Sequence, residues 1–252
     1  MKKTLYQAEI PRIIMIYVFL GILVIYFSII TYKVLKRKRQ RLNLVLSGFF
    51  ISLIIGFLLN MVYAAMTDRI TILILNFLTN YFIFFGPVFL LIVNMIILES
   101  TLIYSVRKQN RYILFYGITL FAGMLILVLL GGIIDPPNVP FLGVQIINNV
   151  PKWGLIFFIY VASVMSIFTM IPINYTNFKI YFQFETKALK RKWFFYLFGF
   201  LGLSVILYFS IIFNILDPII YAGVRLMITL SISSVIIWGY MMYYGIGIEL
   251  KD

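Results

Sequence analysis

The chain has no cysteine and no histidine, and its 252 residues hold only 8 Asp and Glu against 21 Lys and Arg. Each shortage removes a chemistry. Without Cys there are no disulfides and no thiol nucleophile. Without Cys or His there is no zinc site of ordinary composition, no serine–histidine pair, no phosphorylatable histidine and no imidazole proton relay. The carboxylates fall at the ends of apolar runs, Glu9, Asp68, Asp135 and Asp217 on one side and Glu99, Glu185, Glu249 and Asp252 on the other. No two meet at mid-membrane, so paired-carboxylate catalysis inside a bilayer is excluded. A rim site built from Asp68, Asp135 and Asp217 stays open beside the reading of those residues as solvated loop ends. No enzymatic activity, metal or cofactor is expected.

What is abundant is apolar sequence, 63% of the chain. It is gathered into seven runs, about 10–32, 42–66, 70–98, 112–134, 153–175, 193–216 and 219–246. Each is long enough, at about 1.5 Å per residue, to cross a hydrocarbon layer of about 30 Å. Lipid cannot hydrogen-bond an exposed amide, and no run shows the one-in-two polarity of a membrane barrel strand, so the runs are helices. The expected fold is an all-α polytopic membrane protein, one seven-helix domain over 1–252.

Fifteen of the 21 basic residues flank the same membrane side. They lie after run one (Lys33, Lys36, Arg37, Lys38, Arg39, Arg41), after run three (Arg107, Lys108, Arg111), after run five (Lys179, Lys187, Lys190, Arg191, Lys192) and at Lys251. The other side has Lys2, Lys3, Arg12, Arg69 and Lys152, and Arg225 falls within run seven. Positive loops stay cytoplasmic, which places the N-terminus outside, the C-terminus inside and the chain in the plasma membrane. Run one is not read as a signal peptide, because its strongest basic flank follows it. The same loops suit anionic lipid, so the net charge of +13 calls for a bilayer partner and not for nucleic acid.

Pro136, Pro137, Pro140 and Gly143 preclude a helix at the start of the longest outer loop, 135–152, while 144–150 reads either as a lid over the bundle mouth or as part of a plain connector. The inner segment 177–192 mixes Phe178, Ile180, Tyr181, Phe182 and Phe184 with lysines, as a helix extension or interfacial segment does, and offers a surface to a cytoplasmic signalling partner. An internal echo links Pro11-Arg12 with Pro151-Lys152, Asn60 with Asn214 and Asp68 with Asp217. It fits two three-helix units joined by run four, and equally a chance likeness of apolar segments.

Polar residues within the runs mark faces turned from lipid. Asn76, Asn80, Pro87 and Asn94 share one face of run three. Run two contributes Ser52, Gly56, Asn60 and Tyr63; run six Gly199, Gly202, Ser210, Asn214 and Asp217; run seven Arg225, Thr229, Ser233 and Tyr240. These stripes are expected to face one another, with run four peripheral. One reading is interhelical packing. The other is a ligand pocket open to the outside, formed by Asn60, Tyr63, Asn76, Asn80, Asn214 and Arg225, for a small or lipophilic molecule. Arg225 then binds an anionic group or pairs with Asp217 or Asp68, unless it snorkels to headgroups.

Run seven has no lysine for a retinal Schiff base and no proline, and Glu99-Ser100-Thr101 replaces the acidic-Arg-aromatic triplet of animal-type receptors. The short outer tail, the basic stretch 32–41, the aromatic stretch 81–89 around Gly86-Pro87 and the ending Tyr243-Tyr244-Gly245-Ile246 resemble the N-terminal seven-helix sensor regions of histidine kinases. In that family the last helix leads into signalling domains, whereas this sequence ends at Asp252. The resemblance therefore implies a free-standing sensor that signals through a separate partner, and not kinase activity. A facilitative transporter of 3+1+3 helices flexing at Pro87 and Pro172, or a structural subunit of a membrane complex, are the alternatives.

Overall fold

The computed structural model describes residues 2–37, 41–103, 105–137, 139–147, 149–216, 227 and 231–246, with side chains from residue 16 and excluding 100–103. Among the described residues six helical passages are long and apolar enough to cross a membrane, and the chain is an all-α polytopic membrane protein. They comprise α1 (Lys2–Lys36), α2 (Arg41–Ala64), α3 (Arg69–Phe85) continued by α4 (Pro87–Ile103), α5 (Val106–Ile134), α6 (Leu155–Met165) continued by α7 (Ile171–Gln183), and α8 (Lys187–Ile215). Of the expected run 219–246, a helix of 12 residues, α9 (Val235–Ile246), is described. Asp217 and Arg225 lie outside the described residues.

Two boundaries differ from those expected. The fifth passage continues to Gln183 and the sixth begins at Lys187, so most of segment 177–192 is helix. Lys, Gln and Asn are compatible with helix, and long basic side chains can bury their stems while their charges reach water. The second departure is the loop 135–152. Val144–Ile147 (β1) and Val150–Trp153 (β2) pair as an antiparallel hairpin, with Val144 opposite Trp153 and Ile147 opposite Val150. Asn149 occupies the tight turn with φ 58°, a left-handed conformation that Asn tolerates better than most residues.

The α3–α4 passage is the centre of the bundle. Of its most apolar stretch 56% is buried, against 22% for α5, the lowest of the six. Aromatic packing of Phe27 with Phe50 and Phe57 seals α1 to α2, and the Tyr26 hydroxyl donates to the Ile236 carbonyl at 2.8 Å, bringing α9 against α1. Helices α8 and α9 are in backbone contact: a Cβ on Gly245 would lie 2.5 Å from the Tyr196 nitrogen, and one on Gly199 2.6 Å from the Trp238 carbonyl oxygen. Small residues substitute here for a hydrophobic drive that lipid cannot supply.

Candidate functional site

At the hairpin end of the bundle, α2 and α3 bring together part of the expected polar set. Asn76 Nδ2 reaches the Tyr63 hydroxyl at 3.5 Å, and Asn80 Nδ2 donates to the Asn76 carbonyl at 2.7 Å. Asn60 is half-buried, one turn before Tyr63. Thr79 is buried, with no hydrogen-bond partner for its Oγ1 among the described residues. Asn214 donates instead within its own helix, to the Ser210 carbonyl at 2.9 Å. Asp68 is fully exposed and caps α3, its Oδ2 accepting from the Thr71 hydroxyl at 2.6 Å and amide at 2.8 Å. The Thr71 hydroxyl, then its amide, hold the Asp68 carboxyl below the usual carboxylate range.

The hairpin fills the space beside this stripe. Asp135, the C-cap of α5, accepts from the Leu142 and Gly143 amides at 2.9 and 3.0 Å. Gly143 lies so close to α5 that a Cβ on Gly131 would come within 2.5 Å of it. The strands touch α3, α5 and α8, and Trp153 is 1% exposed. Its ring packs edge-on against Phe84 at 6.1 Å and Phe157 at 4.8 Å, while its Nε1 has no partner among the described residues. Asn76, Asn80 and Phe84 recur at helical spacing on one face of α3, so the asparagine stripe is turned towards the hairpin. Non-helical backbone at this position is tolerated because protein covers it.

Phe84 lies two residues before Gly86, where α3 gives way to α4. Pro87 cannot donate to a carbonyl one turn back. Hydroxyls from neighbouring helices serve the backbone here: Ser52 donates to the Phe82 carbonyl and Tyr116 to the Phe84 carbonyl, the latter at 2.8 Å. The α6–α7 passage has a matching interruption, a π-helical turn at Ser166–Met170 followed by Pro172. The Phe168 carbonyl, four residues before Pro172, accepts from Tyr112 at 2.6 Å. Two tyrosines one turn apart on α5 thus serve one interruption each.

Beyond Pro87, α4 carries a second polar centre that sequence reasoning did not assemble. Asn94, fully buried, donates through Nδ2 to Asn177 Oδ1 at 2.9 Å and Thr176 Oγ1 at 3.0 Å, and accepts at Oδ1 from the Tyr196 hydroxyl at 3.2 Å. Trp193 Nε1 donates to the Asn177 carbonyl at 2.9 Å. The cluster ties α4, α7 and α8 near the end of the bundle that bears the basic loops. Its signal in the sequence was Asn94 on the run-three stripe; Thr176 and Asn177 fell just beyond the expected end of run five, Asn177 in the segment read as a helix extension or an interfacial segment. Among the described residues Asn177 Nδ2, within this cluster, has no hydrogen-bond partner.

Among the described residues no group of three acidic residues is placed to hold a metal. Compared with protein-family models and with curated proteins, the chain matches none.

Proposed function

We propose that this protein is a plasma-membrane sensor of seven helices, N-terminus outside, which detects a small or lipophilic molecule at the hairpin end and passes the change to a separate cytoplasmic partner at the basic end. The positive-inside asymmetry supports the orientation, which makes the hairpin extracellular. One observation carries the reading: Trp153 of the hairpin rests on Phe84, immediately before the Gly86–Pro87 interruption, and α4 beyond it bears Asn94, bonded to α7 and α8. A displacement of the hairpin therefore has a contiguous path of packed groups to the loop between α7 and α8. Asn60, Tyr63, Asn76 and Asn80 supply polar groups for the ligand beside the hairpin, with Asn214, Arg225 and its partners Asp217 and Asp68 as the further members expected from the sequence.

Orientation is checked by labelling single cysteines in this Cys-free chain. Cysteine at Val139 should react with an impermeant thiol reagent from outside, and cysteine at Gln183 should be protected until the membrane is opened; the reverse pattern inverts the topology. Coupling is checked by the labelling rate of cysteine at Thr186, between α7 and α8, in detergent or nanodiscs. Trp153→Ala should change that rate several-fold while the protein stays monodisperse. An unchanged rate would mean that the hairpin does not communicate with the basic end.

Two interrupted helices also favour a second reading, facilitated passage of a small solute, since broken helices are flex points in carriers. Solute-dependent swelling of proteoliposomes would favour carriage; its absence together with the Thr186 response would favour sensing.

A further inference from the structure

The α3 and α5 helices leave a groove of about 390 Å³ between them on the outside of the bundle. Its wall is the stacked pair Tyr81 and Phe85, with centroids 5.4 Å apart and an interplanar angle of 14°. Its floor is Gly117, where a Cβ would lie 2.9 Å from the Phe85 ring and 3.3 Å from the Tyr81 hydroxyl oxygen. Leu114 and Ile118, 63% and 57% exposed, form the rim on the most exposed of the six passages. Apart from the Tyr81 hydroxyl, the polar side chain in the lining is Asn110, at the end nearest the α5 N-terminus.

Shape, length and charge agree on one occupant. From Asn110 to Phe121 the groove follows α5 for about 17 Å at about 1.5 Å per residue. That is close to one leaflet, half of a hydrocarbon core of about 30 Å. The polar end is basic. Arg107 is three residues before Asn110 and seven before Leu114, and Arg111 is three before Leu114 and seven before Ile118, so both arginines continue the groove's own helix face. Both are exposed, and neither forms an ion pair among the described residues.

We infer that this groove is a specific binding site for an anionic phospholipid, one acyl chain lying over Gly117 against Tyr81 and Phe85 and the headgroup phosphate held by Arg107 and Arg111 with Asn110 beside it. A hydrophobic slot orders the chain, and guanidinium groups recognise the phosphate bidentately. With the N-terminus outside, the lipid comes from the cytoplasmic leaflet. No hairpin residue lines the groove, and the site stands whether or not the sensor reading does, because it requires only that the α5 N-terminus meet a membrane face.

The experiment uses the full chain in nanodiscs of phosphatidylcholine, which expose both leaflets and so do not depend on orientation. Phosphatidylglycerol and phosphatidylcholine carrying the same photoreactive acyl chain are compared as trace probes, with adducts mapped by peptide mass spectrometry. The expected result is labelling of the α5 segment between Ile113 and Phe121, at least threefold stronger for phosphatidylglycerol. Gly117→Leu should abolish labelling there. Ile118→Trp, which fills the groove from its exposed rim without entering the core, should do the same and serves if the first variant fails to fold. The double variant Arg107→Gln, Arg111→Gln should keep the chain adducts and equalise the two lipids. Equal labelling of the native protein by both lipids, labelling spread over all helices, or an unchanged pattern in Ile118→Trp would overturn the proposal. Failure here leaves the Val139 and Thr186 cysteine tests untouched, and their failure leaves this one standing.

Discussion

The two polar centres of the bundle use the same residue type in opposite ways. At the basic end Asn94 is saturated: its amide bonds α7 through Thr176 and Asn177, and its carbonyl oxygen takes the Tyr196 hydroxyl of α8. At the hairpin end Asn76 and Asn80 spend their amides on one 3.5 Å contact with Tyr63 and one bond inside α3, while Thr79 Oγ1 and Trp153 Nε1 have no partners among the described residues. A buried donor without an acceptor costs about 1–3 kcal/mol. The basic end also holds such groups, since among the described residues Asn177 Nδ2, Asn174 Oδ1 and Gln109 Nε2 lack partners. The contrast is therefore between Asn94, whose own side chain is saturated, and Asn76 and Asn80, which make one long contact and one intrahelical bond. Saturated networks fix helices in place. Partly satisfied ones are where another molecule can supply what the protein does not, and where rearrangement is cheapest.

The difference can be tested most forcefully by removing the ring that the hairpin sets beside the asparagine stripe. Trp153→Ala deletes a buried ring that touches Phe84 and Phe157, and should cost roughly 3–5 kcal/mol if the cavity does not collapse. Thermal unfolding in detergent should show a clear fall in midpoint. Since Trp153 Nε1 has no partner among the described residues, Trp153→Phe should recover most of the loss. If both substitutions cost the same, the indole nitrogen is bonded after all and the hairpin end is less open than argued.

Next in size is Asn94→Leu. It leaves Asn177 Oδ1 and the Tyr196 hydroxyl buried without this partner, and should destabilise by about 2–3 kcal/mol through the unsatisfied groups rather than the lost bonds themselves. Tyr196→Phe in the Asn94→Leu background should then be nearly neutral, because the orphaned hydroxyl has gone. Unfolding of the single and double variants, read as a coupling energy, checks this. Additive losses would show that Asn94 does not tie α8 to α4.

How much of this was legible beforehand follows from what lipid imposes. The helical passages were readable because a membrane demands length and apolarity, and the peripheral position of α5 followed from its poverty in polar side chains. Their ends were less legible: segment 177–192 fitted either a helix extension or an interfacial segment, and it is helix up to Gln183 and again from Lys187. The expected end of run five at residue 175 also hid the Asn94 centre, because Thr176 and Asn177 lay just past it. The hairpin escaped because four-residue strands carry almost no periodic signal, and Pro151 within β2 argues against a strand; only Asn148-Asn149, a turn-compatible pair, hinted at it. Of the residues expected to line a pocket, Tyr63, Asn76 and Asn80 lie together, with Asn60 one turn away on α2. Side-chain spacing gives the face of a helix but not its neighbour, which is why Asn214 was grouped with residues to which no described hydrogen bond joins it.

The smallest expected effect is the sharpest test of the contrast. Asn76→Leu removes one long contact with Tyr63 and leaves the Asn76 backbone carbonyl to accept from Asn80 as before. Interhelical hydrogen bonds in membranes average about 0.6 kcal/mol, and a contact of 3.5 Å is at the weak end of the geometric range. The substitution also exchanges a buried amide for an apolar group, so a change below about 1 kcal/mol, of either sign, is expected against 2–3 kcal/mol for the same exchange at Asn94. Stability is measured in the same detergent for both variants, without any added small molecule. A loss at Asn76 equal to that at Asn94 would mean that the hairpin end is held as tightly as the basic end, and that Asn76 serves packing rather than recognition.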